Sequence, residues 1–139
     1  MATETRNFTN YSHGVGLRNV GSYQVSGHPY VTGSTIAEDN EHTVTFPFVT
    51  KTITVIASGT TGDPLIGITF NSTGSDAGIM TGKHFITLDS SGDSITFDVK
   101  CKEIFIHALN ATSGFELYAS LTNIDALNMY NLTGPGLTD

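Results

Sequence analysis

The chain has 139 residues, 13 acidic and 6 basic, and a formal net charge of −7. That length fits one domain with a modest core, and the negative balance excludes a nucleic-acid or anionic-membrane partner, since either needs a positive surface. A single cysteine, Cys101, excludes an intrachain disulfide, so stability has to come from packing or from assembly.

Charged residues make up 14% of the chain. Ser and Thr together approach about a quarter of it, well above ordinary usage. Thr is β-branched and suits a pleated, half-wet surface. Such a surface stays polar without the entropic cost of long side chains.

The opening MATETRNFTN has no apolar run and does not read as a secretory leader. No stretch approaches the ~20 apolar residues of a membrane span. Synthesis in a cytosol, with no membrane partner, is the expectation. Residues 1–35 carry weak periodicity and many Gly, Ser, Asn and Thr. They read as an extended N-terminal arm that lies on something, because a free linker would not need Leu17, Val20, Tyr23, Val25 and Tyr30.

From residue 36 to 124 the pattern becomes strongly β. Candidate strands are HTVTFPFV, KTITVIAS, PLIGITFN, KHFITLD, DSITFDVKC, KEIFIHALN and FELYASLTNI, with period-2 alternation or short apolar runs. In SITFDVKC the inward set is Ile95, Phe97, Val99 and Cys101. In FELYASL it is Phe115, Leu117, Ala119 and Leu121. In TVTFPF it is Val44, Phe46 and Phe48, and Pro47 marks an edge strand or bulge. Turn signals SGTTGDP, NSTGSDAG, SSGD and NATSG separate the runs. Their regular spacing predicts an antiparallel β-sandwich, jelly-roll-like. A short helix is expected near IDALNMYN, capped by Asp125. The tail, with two Gly and one Pro in NLTGPGLTD, reads as a C-terminal arm over residues 125–139.

The search for chemistry returns little. GIMTGKH is one residue short of a phosphate-binding loop and lacks its Ser or Thr. GVGLRNVG lacks the third glycine of a dinucleotide fingerprint, and there is no G-x-S-x-G elbow. His13, His28, His42, His84 and His107 stand singly, at no metal-ligand spacing. Cys101, on the inward parity of its strand, reads as inert packing. Asp89 and Asp93 bracket DSSGD, an oxygen-rich turn that could hold Ca²⁺ but equally reads as an ordinary hairpin turn. Asn7, Asn10, Asn71, Asn110 and Asn131 begin N-x-[ST] triplets, expected by chance in a chain so rich in Thr and Asn. No catalytic residue, cofactor or metal is assigned, and the chain is expected not to be an enzyme.

Seven phenylalanines, Phe46, Phe48, Phe70, Phe85, Phe97, Phe105 and Phe115, fall in strands and read as core. Phe8, Tyr11, Tyr23, Tyr30 and Tyr130 fall in the arms. With Leu17, Val20, Val25, Leu132 and Leu137 they form the candidate partner interface, since a core does not need them there.

NVGSYQVSGHPYVTGS, TITVIAS, HFITLDS, SITFDVKCKEIFI, FELYASLTNI and MYNLTGPGLT together cover most of the chain. In these segments it resembles small virion proteins of marine tailed bacteriophages. The resemblance implies a structural role on the particle, above all as a capsid decoration or cement protein. The partners so implied are the major capsid protein or other virion proteins, and copies of the chain itself in a homotrimer. Its place would be the capsid surface, after assembly in the host cytoplasm. The alternative is a tail or receptor-binding, lectin-like β-sandwich.

Overall fold

The computed structural model describes residues 14–24, 27–59, 65–72, 84–109 and 111–138. Expectations for Phe8, Tyr11 and Val25, and for the triplets at Asn7, Asn10 and Asn110, lie outside the described residues. Eight strands are described: β1 (His28–Ile36), β2 (Glu41–Thr45), β3 (Phe48–Ser58), β4 (Ile66–Thr69), β5 (Ile86–Leu88), β6 (Ser94–Phe97), β7 (Glu103–Ala108) and β8 (Ser113–Asp125). A one-turn helix α1 (Gly21–Gln24) precedes them, and a 3₁₀ turn (Ala126–Asn128) follows.

The strands form two four-stranded sheets, β1-β8-β3-β6 (sheet A) and β2-β7-β4-β5 (sheet B). Every pairing is antiparallel. Alternation along each strand decides what lies between the sheets. Sheet A contributes Val49, Ile53, Val55 and Ala57 from β3, and Phe115, Leu117, Ala119 and Leu121 from β8. Sheet B contributes Val44, Ile66, Ile68, Leu88, Ile104, Ile106 and Ala108. Each large side chain so buried stabilises the fold by about 1.5–3 kcal/mol against exposure. Ile95, Phe97 and Val99 pack at the margin of this core, and Cys101 is fully buried in it.

Among the described strands, consecutive ones switch sheets at every step except β4 to β5. Two crossings lock together where the chain passes between sheets. Phe46 N donates to Lys102 O at 2.8 Å, and Thr50 N donates to Cys101 O at 3.0 Å. Pro47 therefore sits between strands, at a crossing: β2 ends at Thr45 and β3 starts at Phe48. The single run TVTFPF is two strands of different sheets. DSSGD is likewise no hairpin turn, because it joins β5 of sheet B to β6 of sheet A. Gly92 supplies its left-handed step at φ 91, and Ser90 N donates to the Asp93 carboxylate at 3.1 Å.

Two further departures concern the ends. The sheet body begins at His28 rather than at residue 36, since β1 pairs along its whole length with β8. The closeness of this pairing requires Gly33, where an added Cβ would meet the Phe115 carbonyl oxygen at 2.8 Å. Chain read as extended also contains α1, a turn too short for its propensity to register in sequence. The 3₁₀ turn forms where a short helix is expected, with Asp125 Oδ1 accepting from Leu127 N at 2.9 Å.

Candidate assembly surface

The N-terminal segment holds its shape through local polar contacts. Asn19 Nδ2 donates to Gly14 O at 2.9 Å, and its Oδ1 accepts from Gly21 N at 3.0 Å. Tyr23 Oη donates to Leu17 O at 3.1 Å. Leu17 and Tyr23 then pack against the core. Burial, and secondarily the neighbouring Tyr130, raises the Tyr23 phenol above its ordinary pKa. Tyr23 of the N-terminal segment therefore lies near Tyr130 of the C-terminal segment.

The C-terminal segment is fastened to its own body. Met129 is buried, and its carbonyl accepts from Lys102 Nζ at 3.2 Å. Asn71 Nδ2 donates to Leu132 O at 2.6 Å, so the Asn71 amide already has a structural task. Leu132 packs on the core and, with Leu137, Phe70 and Val99, lines a cleft of about 380 Å³.

The seven described residues of the ten in the candidate interface thus divide. Leu17, Tyr23, Tyr30 and Leu132 pack on their own core, Tyr30 edge-on to Phe46 at 5.3 Å. Leu137 is half-buried in the cleft. Val20 (68%) and Tyr130 (58%) stand exposed. Sequence reasoning missed Val15 and Leu127, which are equally exposed. Both lie in short irregular segments where no periodicity marks a face. Val15 and Val20 line an open hollow of about 920 Å³ that Asn128 closes from the other end of the chain. Leu127 precedes Asn128 in the chain, and Tyr130 lies two residues beyond it. Val15 and Val20 are thus exposed at the hollow, and Leu127 and Tyr130 are exposed in the segment that carries Asn128.

Two polar groupings stand apart from the terminal segments. Glu41 sits between Ser72 and His107: Ser72 Oγ donates to Oε1 at 2.7 Å, and Oε2 lies 3.1 Å from His107 Nε2. In a nucleophilic triad the imidazole stands between hydroxyl and carboxylate, where it can take the hydroxyl proton. Here the carboxylate stands between them, an order different from that of a triad. Burial lowers the His107 pKa, and the Glu41 charge opposes that shift. A polar cleft of about 230 Å³ is lined by Thr35, Ser58, Gly59, Ser91, Thr112, Ser113 and Gly114, without an aromatic or carboxylate among its described residues. Among the described residues, no group of three or more His, Cys, Asp or Glu could hold a metal ion. No described helix is long and apolar enough to cross a membrane.

Compared with known proteins, the chain matches no family model and no curated sequence.

Proposed function

We propose that this chain is a structural protein of a tailed-phage particle, a capsid decoration or cement protein on a jelly-roll scaffold. Support for the scaffold comes from the strand orders β1-β8-β3-β6 and β2-β7-β4-β5, with successive strands switching sheets at every step except β4 to β5. Two four-stranded sheets connected in that way are the arrangement of two interleaved Greek keys, a scaffold recurrent in viral capsid and lectin domains. The observation that carries the role is the set of exposed apolar side chains in the two terminal segments, Val15 and Val20 at the hollow and Leu127 and Tyr130 around Asn128 in the chain. Apolar residues gathered at a concavity mark a contact site for another protein.

Cement ties neighbouring shell subunits together, and that needs contact surface rather than a reactive group. The acidic, Thr-rich exterior keeps many copies soluble at high local density. The partner is the major capsid protein or another virion protein, the chain acts as a homo-oligomer, and its place is the capsid surface. The test is cosedimentation of the purified chain with shells of its parent particle that lack it. Saturable binding is expected, and L127S/Y130S is expected to weaken it at least tenfold. Undiminished binding by that variant removes the terminal surface from the role. Retention on a glycan array without shell binding would favour the lectin-like alternative.

A further inference from the structure

The four sheet edges are unlike one another. β5 and β6 are three and four residues long, and Asp93 and Asp98 flank β6. β2 has five residues and begins at Glu41. Shortness and charge are ordinary means of preventing an edge from templating another strand. β1 has neither. It runs for nine residues, HPYVTGSTI, without Asp, Glu, Lys or Arg. Its register against β8 is unbroken from His28↔Leu121 to Ile36↔Ser113, and only Pro29, near its start, blunts it. Among the described residues, backbone bonds to β1 come from β8 alone. Pro29, Val31, Gly33 and Thr35 are exposed on its outer face. Val31, 76% exposed, stands beside Tyr118, 47% exposed, across the ladder.

The geometry points to β1 as a homotypic docking edge, whose occupant is β1 of a second copy running antiparallel across a two-fold axis. An antiparallel edge is complementary to itself, because both strands present the same alternating N–H and C=O groups. Charge narrows the choice of edge. Two copies at −7 each repel, and β1 is the long edge on which no charged side chain stands. The axis must be perpendicular to the sheet, so that the outer faces of both copies stay on one side. Outer residues then oppose outer residues, with Gly33 on the axis and Val31 facing Thr35 of the other copy. The seam joins two copies of the four-stranded sheet A into one continuous sheet, with a Val31–Tyr118 pair on either side.

This inference does not depend on the virion reading, because self-association is measured without shells. It replaces the three-fold assembly that the family resemblance implies with a two-fold one. Sedimentation velocity of the full chain across a wide concentration range is the test. A dimer is expected for the wild type, and a monomer with unchanged circular dichroism for V31K/T35K. L127S/Y130S, altered in the C-terminal segment and not in β1, should remain dimeric. V31C/T35C should give a covalent dimer on mild oxidation, which decides the matter if the lysine variant does not fold. A wild type that stays monomeric or forms trimers overturns the proposal. So does a folded V31K/T35K that still dimerises, or a V31C/T35C that gives no covalent dimer.

Discussion

The Thr50 hydroxyl accepts the backbone N–H of Cys101 at 3.0 Å, touches its Sγ at 3.4 Å, and donates to Val99 O at 2.8 Å. One buried hydroxyl thereby clasps the segment that carries the chain from β6 to β7 against the start of β3. Replacing it with an isosteric methyl in T50V leaves a buried N–H without its acceptor, at a cost of about 1–3 kcal/mol. The urea midpoint should fall at an unchanged m-value. T50S, which keeps the hydroxyl, should lose less than half as much. An unshifted T50V midpoint would show that the clasp contributes nothing.

Cys101 should be chemically silent in the native state. Burial pushes its thiol up to about 11, although the Thr50 hydrogen bond pulls the other way. Because the fold favours the neutral thiol, its contribution to stability is complete below the ordinary value of 9.0 and is lost as pH rises toward about 11. Maleimide labelling at neutral pH should proceed only at the rate of unfolding, with T50V labelled faster. Rapid stoichiometric labelling of the native chain would place the thiol at the surface.

His107 sets the acid limb of stability. The unfolded imidazole takes up its proton near 6.5, while burial holds the folded one neutral to lower pH. The unfolded state thus binds more protons below that value, and stability falls as pH falls through it. E41Q removes the charge that opposes the shift, so it should steepen the loss. Urea midpoints from about pH 8 to about pH 5 measure the slope, which reports this titration independently of the baseline cost of substitution. Midpoints that hold steady across that range in both proteins would contradict it.

The terminal surface should be separable from the fold. Val20, Leu127 and Tyr130 are exposed, so V20S, L127S and Y130S should each change stability by no more than about 0.5 kcal/mol. Removing residues 1–35 is a different matter, because it takes away β1 and bares the edge of β8. That truncation should unfold at lower temperature or aggregate. A truncation ending before Gly14 leaves every described element in place. Thermal melts of the two truncations should differ clearly.

Much of the sandwich was legible because alternation reports burial directly. Phe115, Leu117, Ala119 and Leu121 point inward as their spacing requires, and so do Val44 and Phe46. The crossings were not legible. Pro47 looks the same at a sheet edge as between sheets, and SSGD suits a hairpin and a crossover alike. The ends were less legible for another reason. An apolar residue in irregular chain signals that something covers it, but not whose surface does so. Tyr30 and Leu132 lie on their own core, whereas Tyr130 does not. The Ser72–Glu41–His107 contact was invisible because it joins residues far apart in sequence, Glu41 and His107 opposite each other on β2 and β7 and Ser72 beyond β4.

Hydrogen–deuterium exchange of the full chain, free and bound to shells, tests the assembly role most directly. Added protection is expected at residues 14–24 and 126–130, which carry the exposed apolar side chains Val15, Val20, Leu127 and Tyr130, while the sheet interior stays as slow as in the free chain. Protection confined to other faces, or identical exchange in the free and shell-mixed samples, would contradict it.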